Sequence, residues 1–385
     1  MDLLKDIKVL DLTRLLPGPL LTLFLADLGA EVIKIEDTEQ GDYLRWMSLS
    51  GSGQNTLFGA LNRDKKGMRL NLKLPEGIEV FRELSRHADV IVEGFRPGVV
   101  DRLGVGYAAI SAVNPAIVYC SISGYGRDGP YSACAGHDLN YIGVAGALGV
   151  TGGSGRPVIP GVQIGDIAGG SLTSFGAIML GLYNKEKTGR GIYLDISMTD
   201  SLLSFMTPYL PYLKTGLKRG EMELTGSIPC YNVYRTRDDR FVTLAALEPK
   251  FWSRFLTMID RMDLMEEQLA KGKDSERVYN ELQRVFRSKT RAEWLEFFRD
   301  EDVCLAPVNE IDDVLDDPHI GYRGMFGHAG TGGDGPLTIM NPFYRDRQDR
   351  SLARAPEAGE HTVEVLRQAG YSEQRIEQLK KNGVI

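Results

Sequence analysis

"IKVLDLTRLLPGPLLTLFLADLGAEVIKIE", residues 7–36, decides the fold class. Its first six residues form a short apolar run that reads as a buried strand, "GPLLTLFLADLG" reads as a helix closed by Gly29, and "AEVIKIE" reads as a second strand. Strand, helix and strand in that order make a βαβ unit, whose two strands lie parallel because the helix carries the chain back to the starting edge. The same alternation returns in "DVIVEGF", "IVYCSISGYG" and "GIYLDISM", separated by the helical segments "GIEVFRELSRHA" and "GSLTSFGAIMLGLYNKEKTG". Residues 1–205 are therefore expected to form a doubly wound α/β domain with an open parallel sheet.

Around 206–228 the periodicity fails near Pro208, Pro211 and Pro229, as a linker would. Beyond it "RFVTLAAL" and "VCLAPVN" read as strands, and "EPKFWSRFLTMID", "SERVYNELQRVFRS" and "TRAEWLEFFRD" as helices, giving a smaller α/β domain over 229–330. Residues 331–385 form a polar segment with helical spacing near its end, expected to return to the large domain, although periodicity alone does not locate it.

The chain has 385 residues, 43% of them apolar, enough for a large core. A formal charge of −7 argues against nucleic-acid binding through a global positive field, so a polyanionic ligand would have to be held locally. Cys120, Cys134, Cys230 and Cys304 show neither CxxC nor metal-ligand spacing and are read as buried thiols in a reducing compartment. "MDLLKDIKVLDL" lacks the marks of a signal peptide, no apolar run is long enough to span a bilayer, and "KKNGVI" is no peroxisomal signal. A cytoplasmic protein with no membrane or nucleic-acid partner is expected.

The opening βαβ unit invites a dinucleotide reading, with Glu36 where a ribose-binding acid would stand. However, "TRLLPGP" contains no GxGxxG, so NAD and FAD are disfavoured. "YCSISGYG" is not GxSxG, which disfavours a hydrolase nucleophile elbow. No metal motif is present. Two basic stretches stand out: "NRDKKGMRLNLK" with Arg63, Lys65, Lys66, Arg69 and Lys73, and "EGFRPGVVDRLG" with Arg96 and Arg102. Either they form a solvated face or they cradle phosphates, whose oxygens match arginine forks and lysine point charges.

Two titratable residues sit among glycines: His137 in "GHDLNY" and Asp166 in "GDIAGGS". Glycine lets a ligand approach closely. Taken singly, His137 reads as a satisfied core histidine, Asp166 as a helix cap, Asp138 as a structural anchor and Glu248 as an acid at a helix start.

Taken together, the segments resemble the class III CoA-transferase superfamily (CaiB/BaiF type), and within it the α-methylacyl-CoA racemases most closely. The resemblance is carried nearly end to end by "VLDLTRLLPGPLLTLFLADLGAEVIKIE", "LNRDKKGMRLNLK", "EGFRPGVVDRLG", "SISGYGRDGPY", "GHDLNY", "GDIAGGS", "KTGRGIYLDISM", "DDPHIGYRGMF" and "APEAGEHTVEVL". It implies a Rossmann-like large domain, an interlocked homodimer and a role in fatty acid metabolism, with no cofactor beyond the CoA moiety of the substrate and no metal.

By this resemblance CoA is bound by Leu70, Asn71, Leu72 and Lys73, by Gly94, Phe95, Arg96, Pro97, Gly98 and Val99, by Arg102, and by Gly136, Asp138, Leu139, Asn140 and Tyr141. The catalytic acid/base pair corresponds to His137 and Asp166, with Glu248 supporting the histidine. Racemases often carry an arginine soon after the second strand. Here "IEDTEQG" offers Asp37 instead, and Arg45 is a possible replacement. The implied reaction is epimerisation of 2-methylacyl-CoA thioesters through an enolate, with CoA transfer between carboxylic acids through Asp166 as the alternative. Met198, Met206 and Met222 are candidates for an acyl pocket or simple core filling.

Overall fold

The computed structural model describes residues 3–47, 56–153, 155–330, 336–343 and 352–385. The chain forms two compact units, one of Met1–Ala145, Val162–Phe205 and His319–Ile385, the other of Gly146–Gly161 and Met206–Pro318.

The first unit is built on six strands: β1 (Lys8–Asp11), β2 (Glu31–Glu36), β3 (Lys66–Arg69), β4 (Val90–Glu93), β5 (Val118–Ser123) and β6 (Ile192–Ser197). Their order is β3-β2-β1-β4-β5-β6, and every neighbouring pair is parallel. Parallel strands covered on both faces need continuous apolar runs. Accordingly β4 is buried at every residue and β5 at all but its last. The connection between β1 and β2 is the helix Pro17–Asp27. Its prolines fall in the first turn, where a missing N–H costs no hydrogen bond, and Gly29 leaves it with φ +98°.

The core joins Leu10, Ile33 and Ile91 of the sheet to Val80 and Phe81 of the helix Pro75–Arg86. It also takes in Val365 and Leu366 of the helix Thr362–Gln368, and Ile376 and Leu379 of the helix Glu373–Lys381. Backbone hydrogen bonds from His361 N–H to Gly67 C=O and from Asn71 N–H to Val384 C=O, both 2.8 Å, tie the chain's end to β3 and the loop beyond it. The first unit resumes at His319 rather than at 331.

The second unit includes the stretch expected as a linker, which contains the 3₁₀ turns Thr207–Tyr212 and Glu223–Thr225. Its sheet joins β7 (Tyr231–Arg235), β8 (Phe241–Ala245) and β9 (Leu305–Pro307) in that order, all antiparallel. The helices Pro249–Met258, Gly272–Phe286 and Arg291–Phe297 contribute Trp252, Phe255, Phe286 and Trp294 to its core. A tight turn reverses the chain between β7 and β8, with Asp239 at φ +60°, so a hairpin replaces the parallel crossover of the first unit. A short antiparallel ribbon, β10 (Phe326–His328) and β11 (Leu337–Ile339), belongs to the first unit.

Candidate active site

In an open parallel sheet the connections leave opposite ways on either side of the strand where the order reverses, which opens a crevice at the strands' carboxyl ends. Here that reversal lies between β1 and β4, and two cavities occupy it. One, of about 480 Å³, is walled by the loops after β1, β4 and β5 and reaches His137 and Asp166. The other, of about 360 Å³, is walled by the loops after β2 and β3. Leu12, Arg14 and Phe95 line both.

Leu70, Asn71, Leu72 and Lys73, expected at the CoA site, line the smaller cavity with Val99. Gly94, Phe95, Arg96 and Pro97 line the larger one, as do Gly136 and Tyr141. Gly98 turns the loop between them with φ +81°. Glu93 steadies this loop by accepting the Phe95 N–H at 2.8 Å, and burial pushes its carboxyl up to about 7. Arg102, Asp138, Leu139 and Asn140 line neither cavity. Arg102 is exposed at the end of the helix Val99–Arg102, and Leu139 is also exposed.

Asp138 and Asn140 act through their neighbours. Asn140 accepts the backbone N–H of His137 at 3.0 Å and so holds the residue that opens the helix Asp138–Val144. Asp138 Oδ1 accepts the N–H of Asp166, also at 3.0 Å, joining the two motifs. Glycines make both arrangements possible. A Cβ on Gly136 would stand 2.6 Å from the Tyr141 ring, and one on Gly165 would stand 2.9 Å from Asp138 Oδ1. Tyr141 in turn donates its hydroxyl to Gly136 C=O and packs edge-on to Tyr125.

Asp166 lies in a π-type turn, Gly165–Leu172, that leads into the helix Thr173–Thr188. Such wide turns recur at functional sites. The capping role open to Asp166 from sequence is not what it performs, since Asp138 supplies the oxygen at that turn. The Asp166 carboxylate makes no hydrogen bond to any described residue. Burial, with the Asp138 charge adding to it, pushes this carboxyl up to about 6. A carboxyl in that range exchanges protons readily near neutral pH. His137 is exposed to the cavity rather than packed in the core. Glu248 belongs to the second unit, where it is the exposed residue preceding the helix Pro249–Met258.

Most of the first basic stretch is no phosphate cradle. Arg63 is buried against Asp27 and Asp64, Lys65 is buried among Asp11, Thr22 and Asn62, and Lys66 pairs with Glu31 and Glu364. Arg45 is committed as well: it forks onto Glu36 with two 2.7 Å bonds and lies over the Phe58 ring. Of the cysteines read as buried, Cys120 and Cys230 are, Cys304 is half-buried, and Cys134 is exposed and lines the larger cavity. Sequence reasoning passed over Arg14. Its signal was its position, in the first turn after β1 at the point of reversal.

A sequence profile of CoA-transferase family III matches residues 4–362. The chain is 33% identical to the human succinyl-CoA:glutarate CoA-transferase, over 99% of this chain and 90% of that one. It is likewise 33% identical to the mouse alpha-methylacyl-CoA racemase, over 99% and 97%. The crystal structure of a CAIB/BAIF family protein from Brucella suis superposes with a TM-score of 0.78 at 29% identity, covering 94% of this chain and 98% of that one. A racemase and a transferase thus stand equally near in sequence, and the chain belongs to the class III CoA-transferase family.

Proposed function

We propose that the protein interconverts the (2R)- and (2S)-epimers of 2-methylacyl-CoA thioesters. The observation that carries this reading is that an imidazole, His137, and a carboxyl adjusted to about 6, Asp166, line one cavity. Inversion at the α-carbon needs one group to take the proton from one face and another to return a proton to the opposite face. As the C–H bond breaks, its electron pair moves into the thioester carbonyl, giving an enolate. The second group then protonates carbon, and the two exchange roles in the reverse direction. The Asp166 N–H is already given to Asp138, so it is not a free donor to the enolate oxygen. In this reading Glu248, by the family resemblance, is a positioning residue that supports the histidine. Glu248→Gln should then lower kcat with little change in CoA-ester affinity.

The competing reaction is CoA transfer between carboxylic acids, with Asp166 as nucleophile. It is favoured by the transferases among the relatives and by the unbonded Asp166 carboxylate. One incubation separates the two. A single 2-methylacyl-CoA epimer in D₂O, with no acceptor acid, should gain α-deuterium and lose stereochemical purity. No exchange, with CoA passed to an added carboxylate and a hydroxylamine-sensitive adduct on Asp166, would assign transfer instead.

We also infer a homodimer. Leu180 and Tyr183 of the helix Thr173–Thr188 are 72% and 64% exposed, and Leu172 and Ile192 are exposed on the same unit, apolar surface that a second copy would cover. Light scattering should give twice the chain mass, and Leu180→Lys should lower it. The four cysteines, all free, suit a cytoplasmic setting.

A further inference from the structure

Phosphates need a cation, and the expected one is absent: Asp37 stands after β2, and Arg45 is spent on Glu36. Among the other basic residues at the crevice, Arg96 lines only the larger cavity, and Lys73 lines only the smaller, where it is paired with Glu39 at 3.3 Å. Arg14 alone among the described cations lines both. Its guanidinium carbon lies 5.4 Å from the Tyr43 ring centre and 5.9 Å from that of Phe95, which holds it at the junction. One nitrogen, Nη2, donates to Asp37 Oδ2 at 2.6 Å, and the remaining N–H groups make no hydrogen bond to a described residue. The side chain is 30% exposed, so those donors are open to a ligand.

Asp37 is fixed independently. Its Oδ1 accepts the backbone N–H groups of Glu39, Gln40 and Gly41 at 2.9, 2.7 and 3.1 Å, so the carboxylate is anchored to its own loop. A phosphate arriving at Arg14 meets a guanidinium that is oriented but also partly neutralised by a charge that cannot follow it.

We propose that Arg14 grips the diphosphate of the CoA moiety where the two cavities meet, and that Asp37 is a built-in counter-ion that weakens this grip and hastens release of the ligand. The proposal rests on the CoA-thioester reading above. The covalent order of CoA selects the diphosphate: with the thioester beside His137 and Asp166 in the larger cavity and the adenosine in the smaller, the diphosphate spans the junction. Arg14 holds it by charge-assisted hydrogen bonds, and Asp37 repels it across the same few ångströms.

The test is calorimetric titration of free CoA and of 3′-dephospho-CoA into the wild type, Arg14→Met and Asp37→Asn, with thermal melts of each. Arg14→Met should weaken CoA about ten- to a hundred-fold, the range for a lost charge-assisted hydrogen bond. Asp37→Asn keeps an oxygen for the three N–H groups but drops the charge, and should tighten CoA by several-fold to about ten-fold. The opposite signs are the signature, because a merely structural pair would weaken binding in both variants, and that result overturns the proposal. An unchanged Kd in Arg14→Met overturns it too. The loss in Arg14→Met should be the same for 3′-dephospho-CoA. If it vanishes with that ligand, Arg14 meets the 3′-phosphate and the diphosphate assignment is wrong. Failure of the wild type to bind CoA overturns the CoA reading itself and this proposal with it, whereas wild-type binding with insensitive variants overturns this proposal alone.

Discussion

Asp11 closes β1 and Asp166 follows Gly165 in the π-type turn, and both carboxyls are withdrawn from water, yet the first unit holds them in opposite ways. For Asp11 the burial penalty is outweighed. Lys34 and Lys65 lie beside it, and the Thr13 and Thr22 hydroxyls donate to it at 2.5 and 2.6 Å, so its carboxyl stays below the ordinary range. For Asp166 no cation or donor among the described residues answers burial, and the charge that acts on it is another carboxylate, Asp138, so its carboxyl rises to about 6. One acid is locked as an anion that ties β1 to the helix Pro17–Asp27. The other is left able to take and give a proton. A buried carboxylate with partners is architecture, and one without them is a candidate for chemistry.

The sharpest way to break this contrast is to remove each charge in place. Asp11→Asn leaves Lys65 buried without the carboxylate it is paired with, while Lys34 keeps its ion pair with Asp42, and should cost about 3–5 kcal/mol in urea unfolding. The loss should be larger at pH 6 than at pH 9. Burial pushes Lys65 down to about 7, below its unfolded value of 10.5, so the folded protein sheds that proton as pH rises through about 7 and the uncompensated charge disappears. A loss under about 1 kcal/mol would mean that Asp11 is not the keystone of the network.

Asp166→Asn should do the reverse: abolish turnover while raising stability at pH 8 by about 1–2 kcal/mol, discounted for partial exposure. The folded pKa of about 6 exceeds the ordinary 3.8, so the native state binds more protons between those values, and wild-type stability falls as pH rises through that window. The variant lacks this decline. Stability traded for function is common at active sites. An Asp166→Asn protein no more stable than wild type would place the carboxyl among ordinary surface acids.

Much of this was legible in the sequence. The strands β1, β2, β4 and β5 could be read because burial on both faces demands apolar runs, and β6, only partly buried, could be read from its β-branched and aromatic residues, whereas β3, Lys66–Arg69, was hidden inside a stretch read for its charge. Charge alone does not say whether a lysine is buried: Lys65 and Lys73 stand eight residues apart, one locked under the helix Pro17–Asp27, the other on the rim of a cavity. That difference is set by partners such as Asp11, distant in sequence. The π-type turn left no mark, because glycines permit many conformations and specify none. Residues 146–161 join the second unit through contacts no local pattern reports. His137 and Asp166 were singled out by their glycine-flanked motifs, but that they line one cavity is a property of the topology.

The smallest expected effect is the most informative about how Asp166 is adjusted. Asp138 serves it twice, accepting its backbone N–H at 3.0 Å and adding a like charge to the effect of burial. Asp138→Asn separates the two services, because an amide oxygen still accepts the N–H while the charge is gone. If turnover needs ionised Asp166, the rate should rise with pH through about 6 in the wild type. In the variant that limb should move to lower pH by less than about one unit, since removing a like charge favours the carboxylate. Turnover at pH 8 and CoA-ester affinity should stay near wild type, because the turn keeps its anchor. An unmoved limb would mean that burial alone raises Asp166. A loss of turnover at every pH would mean instead that the Asp138 charge holds the turn in place, making Asp138, like Asp11, an architectural anion rather than a modulator of its neighbour.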